Sequence, residues 1–157
     1  MTSQFMEESF EDRLVDAIKE LDINIGTRNL HVNLIEGTGF ALDSPADMLE
    51  YDYKPACLLG IRGVTETEIA DGQSKSYKMT FELVVWISAL DRTRKAGEFS
   101  DNRNIRRSIR KEIYGKNPYK EGNSLLILTL QSDDYIATTD KVSIYEQIYT
   151  GTYFEHA

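Results

Sequence analysis

Few side chains in this 157-residue chain are able to carry chemistry. Two histidines, His31 and His156, are the available neutral bases, and Cys57 is the one thiol. A nucleophile needs a base within hydrogen-bond reach, and a local signature such as G-x-S-x-G to present it. No such signature occurs, and His31 reads as a structural residue in a short strand. Histidine and cysteine at metal-ligand spacing are absent. Asp133 and Asp134 with Asp140 could hold a cation weakly, but they read better as a polar loop between strands. The "GTG" at 37–39 lacks the third glycine and the opening helix of a dinucleotide loop, and no Walker-type G-K-S/T exists. A metal-dependent nuclease carries an E-x-K triplet on a strand. The nearest likeness here, Asp52-Tyr53-Lys54, falls in a loop. Cys57, inside "KPACLLGI", reads as a small apolar filler of a buried strand. These residues point to no enzyme, no cofactor and no metal site.

One cluster stands apart. The formal net charge is −8, yet "DNRNIRRSIRKEI" (101–113) is dense in arginine. From Arg92 to Lys120 there are ten basic residues and three acidic ones, a local charge of +7 that leaves −15 for the rest. At 100° per residue Ile105, Ile109 and Ile113 fall in one narrow arc that docks a helix on a sheet. The opposite arc holds Arg103, Arg106, Arg107, Arg110 and Lys111. Three readings compete for this stripe. It is a solvated helix face, or a nucleic-acid site, or half of a self-complementary contact. Nucleic acid is disfavoured by the lack of interleaved aromatics and by the acidic remainder. A self-contact needs an acidic counterpart. Candidates are Glu66, Glu68 and Asp71 near a hairpin tip, and Asp43, Asp47, Glu50 and Asp52 in a loop. Head-to-tail contacts of this kind close into rings when the rotation allows.

The elements that must position these residues are legible from periodicity. "SFEDRLVDAIKELD" places Phe10, Leu14, Ala17, Ile18 and Leu21 on one helical face, with Ser9 and Asp12 in a capping arrangement. "LHVNLIEG" is a short strand, and "TGFALDSPADMLEYDYK" an irregular, mobile loop. "PACLLGIRGVTETEI" is a strand, followed by the turn signal Asp71-Gly72. In "SYKMTFELVVWISAL", Tyr77, Met79, Phe81, Leu83, Val85, Ile87 and Ala89 share one face of a half-buried antiparallel strand. The two strands make a hairpin long enough to project from the domain body. The arginine helix is capped by Ser100 or Asp101 and ends at Gly115 and Pro118. "SLLILTL" is a short buried strand. "VSIYEQIYTGTYFE" is a long one with Tyr145, Tyr149 and Tyr153 on one face. Length and order predict one α+β domain over 1–157, a mainly antiparallel sheet packed by an N-terminal helix and a basic helix. The chain shows no signal-peptide pattern and no apolar run that would span a membrane, so a soluble protein made in a cytoplasm is expected.

This layout resembles the tail-terminator (neck or tail-completion) proteins of tailed bacteriophages, including those of contractile-tailed, Mu-like phages. The likeness rests on the order of pieces: the amphipathic helix "SFEDRLVDAIKEL", the Pro-Ala strand "KPACLLGIRG", the long strand with a basic tail "FELVVWISALDRTRK", the helix "DNRNIRRSIRKEIYG" and the closing strand "SIYEQIYTGTYF". It runs from about Phe10 to Phe154, and the loop "GTGFALDSPADMLEYDY" has no counterpart in it. The resemblance implies a virion structural protein, assembled in the host cytoplasm as a ring, usually of six copies. Such a ring ends the tail tube, and meets the tube or sheath protein on one side and the head connector on the other. DNA passes through its lumen without specific binding, and no cofactor or membrane is involved. Another neck adaptor is the alternative, and a nucleic-acid-binding protein a more remote one.

Overall fold

The computed structural model describes residues 6–25, 28–39, 41–51, 53–71, 74–90, 101–115, 119–121, 124–138 and 142–156. The chain is α+β with a mostly antiparallel sheet and two helices, as its periodicity predicts. Helix α1 is Met6–Glu20, and α2 is Asp101–Gly115. The strands are β1 (Asn24–Ile25), β2 (Arg28–Asn29), β3 (His31–Leu34), β4 (Ala56–Asp71), β5 (Ser74–Leu90), β6 (Tyr119–Glu121), β7 (Ser124–Thr138) and β8 (Val142–His156). The main sheet has the order β3-β4-β5-β8-β7-β6, and β1 pairs only with β2. Among the described strands only β3 and β4 run parallel to each other.

Alternation along β5 decides what lies on each face. Met79, Phe81, Leu83, Val85, Ile87 and Ala89 point to the helices, and are buried with Phe10, Leu14 and Ile18 of α1 and Ile105, Ile109 and Ile113 of α2. Tyr149 and Tyr153 of β8 join them, while Tyr145 packs at the margin. Phe81 sits between Phe10 and Tyr153, with ring centroids at 6.4 and 6.2 Å. Its ring lies over Gly151, its register partner, where an added Cβ would come within 2.3 Å of Phe81 Cζ. Only a residue without a side chain fits there.

The second face is covered too, which the half-buried reading of β5 did not foresee. The segment expected to be an irregular, mobile loop folds a 3-10 turn at Pro45–Glu50. Its Met48 is fully buried, and Met48 and Tyr51 pack on Ala56, Leu58, Val84, Trp86 and Ile144. Proline at the first position and the Asp47 carboxylate, which accepts from the Asp43 and Ser44 amides at 2.8 and 3.0 Å, fix this turn. Three other expectations are corrected. The N-terminal helix already includes Met6, so Ser9 is a helical residue and not a cap. "SLLILTL" is the start of a 15-residue strand in which Leu125 and Ile127 are exposed. Asp133 and Asp134 belong to that strand, paired with Gln147 and Glu146, and not to a loop. Asp140, Gly72, Ser100 and Pro118 lie outside the described residues.

The hairpin of β4 and β5 is long, as predicted. Beta-strand β3 covers the outer edge of β4 only from Ala56 to Leu59. A bulge follows between Arg62 and Thr65, with Gly63 at φ 65°. The extra residue shifts the alternation, so that Glu66 and Glu68 oppose Met79 and Tyr77 and fall on the helix side of the sheet. Residues 62–69 are all exposed, so this half of β4 is an arm that leaves the core.

Candidate functional site

Helix α2 packs on the sheet through Ile105, Ile109 and Ile113, its backbone closest to β5, its polar side chains reach β7 and β8, and its basic residues divide into two groups. Arg106 and Arg110 belong to the fold. Arg106 donates from Nε to Asp133 Oδ1 at 2.9 Å and from Nη2 to the Asp133 carbonyl at 3.1 Å. Arg110 donates from Nη1 to Asp133 Oδ2 at 2.6 Å. The Asp133 side chain is only 7% exposed, against 20% for Arg106 and 37% for Arg110. The Arg106 guanidinium also lies 4.2 Å from the centroid of the Tyr145 ring.

Beneath this ion pair is a buried polar chain. The Gln147 side chain is fully buried, donates to the Arg106 carbonyl at 3.1 Å and accepts from the Tyr149 hydroxyl at 2.9 Å. Burial, and then the Asp133 charge, push the Tyr149 hydroxyl well above the ordinary phenol range, so it stays a donor. Further along, the Leu130 amide donates to the Tyr114 hydroxyl, which ties the end of α2 to the outer edge of β7. The whole arrangement fixes the rotation of α2 on the sheet.

Arg103, Arg107 and Lys111 form the other group. All three are exposed, and among the described residues neither Arg107 nor Lys111 has an ion pair. Arg103, Arg106, Arg107 and Arg110 line a cleft of about 360 Å³. Beside it is a groove of about 320 Å³ with Tyr114 and Leu130 as floor and Arg107, Arg110 and Lys111 as rim. This surface can bind anionic groups, and two of its guanidiniums, those of Arg106 and Arg110, are held in place by Asp133.

The structure does not bring the predicted acidic partners to this surface. Glu66 and Glu68 are on the arm of β4, separated from β7 by β5 and β8. Asp71 pairs with Ser74 at the end of the same hairpin, and its side chain lies outside the described residues, as does Asp52. Asp47 is consumed by its own turn. The sequence therefore predicts the residue types on each surface, while the pairing of Asp133 with two of the arginines was missed. The sequence held no signal for it: Asp133 stands beside Asp134, and only the strand register sets it opposite the buried Gln147.

Other candidates resolve as structural. His31 Nε2 is 3.0 Å from the Tyr51 hydroxyl and its ring stacks on Tyr53 at 4.4 Å. Burial, with Lys19 adding to it, lowers its pKa and favours the neutral ring. Cys57 is fully buried and its thiol is pushed up to about 12, which makes it inert. Glu11 reaches the β4 edge, where it accepts a bond from the Ile61 backbone. Burial and then Glu36 raise its pKa to about 7. Glu11, Glu36 and Asp43 line a cleft of about 170 Å³ walled by Val84 and Trp86. Among the described residues no group of three His, Cys, Asp or Glu is arranged to hold a metal ion. No described helix is long and apolar enough to cross a membrane. Against known proteins, no family model matches this chain, and no curated protein matches it either.

Proposed function

We propose that this protein is a structural assembly protein that works as a head-to-tail ring, and that the ring is the terminator of a phage tail tube. One observation carries the assembly reading: the chain presents opposite charge toward opposite edges of one sheet. The exposed Arg107 and Lys111 stand on α2, whose inner arginines reach β7, and the exposed Glu66 and Glu68 stand on the arm of β4, with β5 and β8 between β4 and β7. A copy cannot neutralise its own two surfaces, whereas successive copies can, and complementary potentials set register and partner choice. Contacts between two different surfaces repeat in one direction, and they close into a ring if the rotation permits.

The tail assignment rests on the resemblance in the order of elements, and the architecture is compatible with it. A ring with a net acidic wall repels phosphate, so that DNA slides through without being held. The terminator role ends tube growth and offers a face to the head connector. Light scattering behind size exclusion, with negative-stain images of the largest species, tests the ring. Deleting the gene in a phage that carries it tests the role. Overlong tails support a terminator, and detached heads and normal tails support a connector instead.

A further inference from the structure

We infer that the groove between α2 and β7 is the seat for the β4 arm of a second copy of this chain. The inference rests on the head-to-tail reading and specifies which surfaces meet. The groove is amphipathic. Its floor is Tyr114, 38% exposed, and Leu130, and its rim is Arg107, Arg110 and Lys111. The two floor residues are joined, the Tyr114 hydroxyl accepting from the Leu130 amide. Arg110 is held on the rim by Asp133 at 2.6 Å. Such a surface selects a segment that combines carboxylates with exposed apolar side chains.

The arm of β4 is such a segment. In "VTETEI" Val64 is 47% exposed and Ile69 37% exposed, and Glu66 and Glu68 lie between them. Beyond the bulge the outer edge of this arm pairs with no other described strand. The ten residues from Arg62 to Asp71 extend about 33 Å at ordinary strand rise, enough to cross a neighbour's helix–sheet junction. The bulge at Gly63 matters here. It turns Glu66 and Glu68 to the same side of the sheet as α2, the side on which the neighbour's rim stands. The arm and the groove are different surfaces of the chain, the arm on β4 toward one edge of the sheet and the groove by β7 toward the other, so the contact is heterologous and propagates. A polyanion is the less suitable occupant. Its phosphates would meet the cationic rim but offer no apolar side chains to the Tyr114 and Leu130 floor, whereas the arm carries Val64 and Ile69 beside its carboxylates.

The test is a charge swap read by sedimentation velocity over a range of concentration and salt. Wild-type protein is expected to self-associate, more weakly as salt rises. Glu66→Lys with Glu68→Lys, and Arg107→Glu with Lys111→Glu, each place like charges in the contact and weaken association at least about tenfold. An equimolar mixture of the two double variants restores it, because each then offers the other a matching surface. On association, backbone amides of 64–69 gain protection from hydrogen exchange. All four substituted residues are exposed, and the recovery on mixing shows that both variants are folded. A wild-type chain that stays monomeric at every concentration overturns the inference. So does association that neither double variant changes, or a mixture that does not recover. If Arg107→Glu with Lys111→Glu instead abolishes binding of a short DNA duplex and leaves self-association intact, the groove seats a polyanion and the inference falls. Rings that form regardless of the swap refute this seat and leave the ring reading standing. Overlong tails from a deletion, with a monomeric wild-type chain, do the same for the terminator reading.

Discussion

Replacing Asp133 by asparagine separates the two groups of arginine. The substitution keeps the shape and one carboxamide oxygen, but removes the charge that holds Arg106 at 2.9 Å and Arg110 at 2.6 Å. It also turns an amide NH2 toward at least one guanidinium. Breaking a buried ion pair by removing one partner costs about 3–5 kcal/mol. Here the arginines are 20% and 37% exposed, so both recover part of their hydration. That brings the expected loss to about 2–3 kcal/mol. For a domain of this size a kilocalorie moves Tm by about 2–4 °C, so Tm falls by roughly 5–10 °C. Urea unfolding followed by circular dichroism and by Trp86 fluorescence measures it, Trp86 being the single tryptophan. A double-mutant cycle with Arg110→Gln then gives a coupling above about 1 kcal/mol. Arg107→Ala and Lys111→Ala, which touch no ion-pair partner among the described residues, stay within about 0.5 kcal/mol of wild type. The division of α2 into an inner and an outer set is wrong if Asp133→Asn is as stable as the parent, or if Arg107→Ala is as costly as Arg106→Ala.

Three further substitutions probe the elements that hold this site. Gly151→Ala must push the Phe81 ring from its seat between Phe10 and Tyr153, and is expected to cost about 1–3 kcal/mol in the same urea titration; a neutral effect would mean that Phe81 has another rotamer available. Met48→Ala leaves a cavity under the 3-10 turn and is expected to cost about 2–5 kcal/mol, whereas a mobile loop would lose almost nothing. Glu11→Gln isolates a pH effect. The folded pKa of Glu11, about 7, is above its ordinary 4.5, so the native state binds the proton more tightly and loses stability as pH rises from about 4.5 to 7. The full shift corresponds to roughly 3 kcal/mol, which partial solvent exposure reduces to about 1–2 kcal/mol. Glutamine is therefore more stabilising than glutamate by that amount at pH 8, and the gain vanishes below pH 4.5. A pH-independent difference between the two proteins would refute the assignment.

Strand and helix types were legible because one face of each element is apolar at its own period. Phe10, Leu14 and Ile18 recur along α1, and Met79 to Ala89 alternate along β5. What escaped was governed by contacts distant in sequence. The turn at Pro45–Glu50 has no apolar period, and its order comes from Met48 and Tyr51 finding the second face of the sheet. Proline after Ser44, with Asp47 three residues on, was a start signal overlooked in a segment that otherwise looks irregular. Strand β7 extends past its apolar half because β8 pairs with it as far as Thr138. The polar residues there are tolerated because α2 covers Asp133. The bulge was signalled only by a glycine within a strand pattern.

The arginine stripe shows how much more the angular pattern held than a two-face division extracts. At 100° per residue, the isoleucine row 105, 109 and 113 is centred about 60° from Arg106 and about 100° from Arg110, but about 160° from both Arg107 and Lys111. Residues at the flank of a docked helix are within reach of the sheet, and long guanidinium side chains there find any carboxylate the sheet offers. Residues directly opposite cannot. Arg106 and Arg110 thus had a route to Asp133, while Arg107 and Lys111 have no ion-pair partner among the described residues. The same geometry makes the outer row dependable as a contact surface. The inner row clamps the rotation of α2, so the backbone from which the outer cations project is held, and a partner that binds them has only their side chains to order. An arm carrying Glu66 and Glu68 meets a surface already arranged. The charge of the inner row is consumed in making that arrangement, and it is the outer row that should govern the salt dependence of assembly.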